Sequence, residues 1–269
     1  MEKYLIAVDL DGTLLTDNKT ISLYTKQTLQ KAIAHGHYVV ISTGRPFRLS
    51  IDYYNELELD TPIVNINGAY VHHPKDSTWG EYHRTLSIED AKKIIKTCEA
   101  YDLANILIEA KDDVYIKNPD PEITKIIGTD HPKIIKGDLS ESLRFGPTCI
   151  LVQPFKENVS SLVSDLGSQY ADAVYQRSWG EPWYIIEMIK RGVNKANGLK
   201  KVADSLEIPS DRIIAFGDED NDLEMLAYAG RGIAMGNASD EVKQIANEIT
   251  DTNEKDGIAK YIEKALSIS

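Results

Sequence analysis

The chain has 269 residues, 42% hydrophobic and 27% charged, with a net charge of −12 at pH 7. That length suits one large domain or two modest ones with separate cores. The acidic balance argues against nucleic acid, which needs a basic face, and against an anionic membrane surface.

No stretch is apolar enough for a transmembrane helix. Asp9 and Asp11 interrupt any signal-peptide core at the N-terminus. Cys98 and Cys149 fit no metal or redox spacing and read as buried or half-buried thiols. The expectation is a cytoplasmic protein.

Residues 5–8, Leu-Ile-Ala-Val, form an apolar run with no polar face. Such a run reads as a strand buried on both sides in a parallel sheet. It ends in Asp9-Leu10-Asp11-Gly12-Thr13. Two carboxylates two residues apart point the same way in extended chain, and they repel unless a cation or a shared proton intervenes. At the end of a central parallel strand they stand where open α/β sheets bind ligands. Taken alone, the pattern reads equally as a turn that ends a strand.

Ser22 can cap a helix over residues 23–34, and Gly36 can end it. Residues 38–41 form a second apolar strand that stops at Ser42-Thr43-Gly44-Arg45. Pro46 suits the first turn of a helix over residues 46–57. A hydroxyl–glycine loop at a helix N-terminus can cradle phosphate, or Ser42 or Thr43 can be a simple helix cap. Arg45 can meet a substrate anion or lie on the surface. A strand over residues 62–66 precedes Asn67-Gly68, a tight-turn signal, after which residues 69–71 can pair back.

From Ser87 the pattern changes. A helix over residues 88–101, a helix over 157–170 and strands near 106–109, 114–116, 148–153, 173–176 and 183–189 do not alternate regularly. Residues 87–189 read as a separate α+β domain, set between core segments 1–86 and 190–269. Lys195 then sits in the first turn of a helix over residues 194–206. A cation there opposes the helix dipole unless an anion lies beside it. Residues 212–216 form another doubly buried strand ending in Gly217-Asp218-Glu219-Asp220-Asn221-Asp222. That density of oxygen ligands suits Mg²⁺, or a solvated helix start. A short strand at 233–235 and helices at 240–246 and 258–266 complete the chain.

These four motifs, in this order on these elements, resemble those of the haloacid dehalogenase-like superfamily, and within it the Cof-type phosphatases. The resemblance spans essentially the whole chain. It implies a doubly wound, Rossmann-like parallel core with residues 87–189 as an inserted cap that closes over the site and selects substrate, hinging near Ser87 and Lys190. It implies Asp9 as nucleophile and Asp11 as general acid and base. It implies phosphate binding by Thr43, Gly44, Lys195, Asn221 and the backbone at Leu10. Mg²⁺ would be held by Asp9, the Asp11 carbonyl and Asp218, with Asp222 fixing the site from close by.

The implied activity is Mg²⁺-dependent hydrolysis of small phosphorylated metabolites, sugar phosphates or flavin- or nucleotide-type phosphates. A phosphomutase of the phosphomannomutase type and a phospho-aspartate switch are the alternatives. In the cap, Trp179, Trp183 and Tyr184 can stack on a substrate ring or pack the sheet. Lys111, Lys117 and Arg177 can meet a second anionic group or stay solvated.

Overall fold

The structure, a computed structural model, describes residues 2–116, 118–128, 133–135 and 138–268. Lys117 lies outside the described residues. The chain divides into two compact units, Met1–Arg45 with Ser50–Tyr82 and Asn194–Ser269, and Pro46–Leu49 with His83–Val193.

In the first unit, Leu5–Val8, Tyr38–Ile41, Ile213–Gly217, Arg231–Ala234 and Glu248–Ile249 form a five-stranded sheet. All its pairings are parallel. Leu5–Val8 is central and fully buried, as its unbroken apolar run dictates. Each large aliphatic side chain so buried contributes roughly 1.5–3 kcal/mol. Leu5 and Ala7 pack with Leu199, Val202, Met225 and Val242 from the helices Lys195–Ser205, Leu223–Tyr228 and Asp240–Ile245. Toward the helix Gly257–Leu266, Phe216 meets Tyr261 edge-on at 5.6 Å. That helix packs with Leu23–Ala34, which Ser22 caps by accepting the Thr25 N–H at 3.0 Å. The sheet is doubly wound.

The strand order decides where a ligand can bind. From Leu5–Val8 the chain moves one way to Tyr38–Ile41, and from Ile213–Gly217 it moves the other way to Arg231–Ala234. The order therefore reverses between Leu5–Val8 and Ile213–Gly217. Open α/β sheets bind ligands beyond the carboxyl ends of strands at such a switch point.

The second unit is α+β. Its six-stranded sheet runs Val174–Ser178, Ile186–Lys190, Cys149–Pro154, Leu103–Ala110, Asp113–Ile116, Lys133–Ile134. The pairings are antiparallel except the last. Ile94, Ile95 and Cys98 of the helix Ile88–Glu99 and Leu162 and Leu166 of Val159–Tyr170 cover the face carrying Ile106, Ile108, Ile150, Val152, Ile186 and Met188. Ser87 caps the first helix by accepting the Asp90 N–H at 3.0 Å.

The expected helix over residues 46–57 is broken. Phe47–Leu49 is a 3-10 turn, and the α-helix is Ile51–Glu56. The cause is Arg48. Its backbone N–H donates to Asp112 at 2.8 Å, its Nε donates to the Ile127 carbonyl at 2.6 Å, and its guanidinium pairs with Glu109. These bonds commit Pro46–Leu49 to the second unit. Ser50, at the break, accepts instead from Asn65 Nδ2 at 2.9 Å.

Candidate active site

The two acidic motifs meet because their strands are neighbours. Val8 lies opposite Phe216, and the Asp9 N–H donates to the Phe216 carbonyl at 3.2 Å. Asp9 and Asp218 therefore leave adjacent strands at the same end. Two glycines make the approach possible. Gly12 has φ +76°, and a Cβ there would come within 2.2 Å of Asp218 Oδ2. A Cβ at Gly217 would come within 2.5 Å of Asp222. An alanine at either position would displace a carboxylate.

Carboxylate oxygens of Asp9, Asp218 and Asp222 all lie within 4.8 Å of one another, and all three residues are buried. Lys195, fully buried, donates to Asp9 Oδ1 at 2.8 Å and to Asp222 Oδ1 at 2.7 Å. These are the anions that its place in a first turn required. Asp222 has both oxygens engaged, because Oδ2 accepts the N–H groups of Asp218 at 3.0 Å and Glu219 at 3.2 Å. It therefore fixes Lys195 and the Asp218 loop together. Thr13 donates its hydroxyl to Asp218 Oδ1 at 2.6 Å.

One ammonium facing three carboxylates leaves the cluster short of positive charge. Burial, followed by the nearby Asp222, pushes Asp9 up to about 6 against the pull of Lys195. Burial and the neighbouring Asp9 and Asp222 push Asp218 up to about 7 despite the Thr13 bond. Lys195 moves the other way in charge terms. Burial opposes its charge, but two carboxylates outweigh burial and raise its pKa. An ammonium shared by two carboxylates compensates neither fully, so both directions hold together. The donor set is all carboxylate oxygen, which suits a small hard cation.

Asp11 stands apart from this cluster. Its Oδ2 accepts Arg45 Nε at 2.6 Å, and its Oδ1 accepts Arg45 Nη2 at 2.6 Å and Lys19 Nζ at 2.7 Å. Burial works to raise its pKa, but the two cations outweigh it and hold the carboxyl at about 2. Arg45, read from sequence as a possible substrate contact, thus has its guanidinium on Asp11.

The loop after Tyr38–Ile41 is braced from the following hairpin. The Thr43 N–H donates to the Val64 carbonyl at 2.9 Å, and Thr43 Oγ1 accepts the Arg45 N–H at 3.1 Å. The Ile66 N–H donates to the Arg45 carbonyl at 3.2 Å and that of Asn67 to the Thr43 carbonyl at 3.1 Å. Ile66 and Asn67 adopt φ of +48° and +51° to do so. A β-branched residue in that region is costly; the turn expected at Asn67-Gly68 forms, with φ of +51° and +89° at these two residues and the Ala69 N–H donating to the Ile66 carbonyl at 2.9 Å. Asn67 Oδ1 in turn accepts Asn221 Nδ2 at 2.8 Å. Asn221 Oδ1 is buried without a hydrogen-bond partner. Ser42 Oγ is likewise buried without one. Leu10 is fully buried, and its carbonyl accepts the Leu15 N–H at 2.8 Å.

Thr13, Lys19 and Asn67 were given no role from sequence. Thr13 and Asn67 adjoin strand-end motifs, which is a usable signal. Lys19, an isolated cation eight residues beyond Asp11, carries none. In the second unit Trp179 donates to Glu187 Oε2 at 3.0 Å, Arg177 lies directly across from Glu187 on the neighbouring strand, and the Lys111 N–H donates to Thr148 Oγ1 at 2.8 Å. Lys156 lies over the Tyr184 ring at 5.5 Å. Trp179 and Trp183 are partly exposed.

Comparison with known proteins agrees with this geometry. Residues 6–262 match the family model of haloacid dehalogenase-like hydrolases. The 5-amino-6-(5-phospho-D-ribitylamino)uracil phosphatase YitU of Bacillus subtilis is 49% identical over 265 residues, covering 98% of each chain. A second Bacillus subtilis phosphatase named for that substrate, YcsE, is 31% identical over 96% of this chain and 94% of its own. The crystal structure of a haloacid dehalogenase-like hydrolase from Bacteroides thetaiotaomicron superposes with a TM-score of 0.85 at 27% identity, covering 98% of this chain and all of that one. Strand-end acids gathered at a switch point, and relatives that match nearly end to end, put this chain among the haloacid dehalogenase-like hydrolases, alongside named phosphatases.

Proposed function

We propose that the chain is a Mg²⁺-dependent phosphatase of small phosphate monoesters. By kinship with the YitU and YcsE phosphatases, its substrate class is a phosphorylated polyol joined to a pyrimidine-type ring. The observation that carries this reading is the meeting of Asp9, Asp218 and Asp222 with one buried lysine at the switch point of the sheet.

Asp9 is the nucleophile. Its carboxylate oxygen forms a bond to phosphorus as the ester oxygen leaves, and Asp11, protonated once its oxygen is released from the cations that hold it ionised at rest, gives the leaving oxygen a proton. Water then attacks the phosphorus of the aspartyl phosphate as Asp11 takes its proton; the bond from phosphorus to the Asp9 oxygen breaks, which regenerates Asp9 and releases inorganic phosphate. Lys195, the Thr43 hydroxyl, the Asn221 amide and backbone N–H groups at Leu10 and Gly44 stabilise charge on the equatorial oxygens. Asp9 and Asp218, each with only one oxygen bound by a side chain in the described network, would hold Mg²⁺ with the Asp11 carbonyl. The ion, when bound, supplies charge neutralisation between carboxylate and phosphate dianion. Asp222 keeps Lys195 and the Asp218 loop in place.

Residues 87–189 act in this reading as a cap that selects the leaving group. The setting is cytoplasmic, with no nucleic-acid or membrane partner, in keeping with the net charge of −12. Among the described residues no helix is long and apolar enough to cross a membrane.

The test is phosphate release with Mg²⁺ from sugar phosphates, nucleotides, flavin mononucleotide, the ribitylaminouracil phosphate and p-nitrophenyl phosphate. Release by the wild type and none by Asp9→Asn supports the reading. Isomerised sugar phosphate in place of free phosphate would replace it with a mutase.

A further inference from the structure

We propose that Arg45 and Lys19 are positioning residues that clamp the Asp11 carboxyl for proton transfer. This rests on the acid–base role given to Asp11 above. The Asp11 side chain is 42% exposed, and a carboxylate so placed on a loop would ordinarily sample several rotamers. Here three charge-assisted bonds select one. Arg45 grips both oxygens with Nε and Nη2, and Lys19 adds a second bond to Oδ1. A guanidinium fork fixes the plane of a carboxylate as well as its position.

Both cations are themselves held. The Arg45 N–H is bonded to Thr43 Oγ1, and its carbonyl accepts the Ile66 N–H and, at 3.0 Å, Asn65 Nδ2. Its guanidinium lies 5.5 Å from the centre of the Tyr53 ring. The Tyr53 hydroxyl donates to the Lys19 carbonyl at 3.0 Å. Lys19 is fixed in the turn from Thr16 to Thr20, with φ +60° and its N–H donating to the Thr16 carbonyl at 2.8 Å. One tyrosine therefore orders the supports of both cations. The side chains of Lys19 and Arg45 are 55% and 22% exposed. Pairs this close to water add little to stability, so the return on these bonds is the placement of Asp11.

Transfer to the leaving group needs one carboxyl oxygen turned toward the ester. That oxygen must also carry the proton, so Lys19 and Arg45 Nη2 both release Oδ1 as it is protonated, while the Arg45 Nε bond to Oδ2 keeps the carboxyl in place.

The experiment compares kcat/KM on the best alkyl phosphate of the panel, whose leaving group needs a proton, with p-nitrophenyl phosphate, whose leaving group does not. Asp11→Asn should lose about 10²–10⁴-fold more on the alkyl ester. Arg45→Lys, which keeps charge but not the fork, should lose about 10-fold more on the alkyl ester, and Lys19→Met about 3-fold more, both fractions of the acid–base factor. Arg45→Lys added to Asp11→Asn should bring no further discrimination. Equal losses on both esters for Arg45→Lys and Lys19→Met, with Asp11→Asn still discriminating, overturn the clamp and leave the role of Asp11 intact. Failure of Asp11→Asn to discriminate overturns both.

Discussion

Both units bury carboxylates, and they do so with opposite charge accounts. In the second unit Glu109 meets the Arg48 guanidinium, and Glu187 accepts the Trp179 indole N–H. Each acid has a partner on a neighbouring element, as buried polar groups require. In the first unit Asp9, Asp218 and Asp222 cluster together, and the one ammonium among them is bonded to Asp9 and Asp222. Burial there raises Asp9 and Asp218 rather than stabilising them as anions. Burial of an acid therefore does not mark a working site. The proposed function rests instead on an acid cluster left short of positive charge at the carboxyl end of a parallel sheet.

The sharpest way to break the comparison is Asp9→Asn. Phosphate release should fall by at least ~10⁴-fold, the scale on which removal of a nucleophile acts, and a variant keeping a hundredth of wild-type turnover would sink the assignment. Chelation comes next. EDTA should stop turnover and added Mg²⁺ should restore it; full-rate release in EDTA removes the metal from the scheme.

Stability measurements then set the two units side by side. Lys195→Met leaves Asp9 and Asp222 buried against each other and should cost about 3–5 kcal/mol in urea unfolding. Glu109→Gln leaves Arg48 with Asp112 and the Ile127 carbonyl and should cost about 1–3 kcal/mol. Mg²⁺ should recover part of the first loss and none of the second. Equal recovery in both variants would mean that the charge deficit is not confined to the first unit.

The smallest effect is in pH. Asp9 and Asp218 are raised from 3.8 to about 6 and about 7. Between about pH 4 and pH 7 the folded, metal-free protein then binds more protons than the unfolded chain, so this pair makes stability fall as pH rises. Asp11, held at about 2, acts in the opposite sense: its contribution is present above about pH 4 and lost as pH falls through 2. Mg²⁺ prefers the ionised carboxylates, so the gap between urea midpoints with Mg²⁺ and with EDTA should widen from pH 5 to pH 7.5. A constant gap contradicts the raised values.

Much of this molecule was readable because its signals are local. The apolar runs at Leu5–Val8 and Ile213–Gly217, the caps at Ser22 and Ser87 and the glycine after Leu23–Ala34 each specify an element within a few residues. Glu248–Ile249 was not legible, since both residues of this short edge strand are exposed and carry no apolar pattern. Residues 46–57 were misread as one helix because the bonds that break it, from Arg48 to Glu109, Asp112 and Ile127, come from residues more than sixty positions away.

The same division runs through the site. The sequence by itself determined the chemical inventory, with two acids at one strand end, an acid-rich loop at another and a lysine opening a helix whose dipole opposes it. It also determined the order of those pieces, because periodicity and turn chemistry act over a few residues. Only the tertiary structure decided which oxygens Lys195 shares, that Thr13 holds Asp218 across 205 positions, and that Arg45 and Lys19 face Asp11. Those pairings depend on the parallel register that sets Val8 beside Phe216 and on glycines that let side chains approach within a hydrogen bond. Neither leaves a periodic trace in the chain.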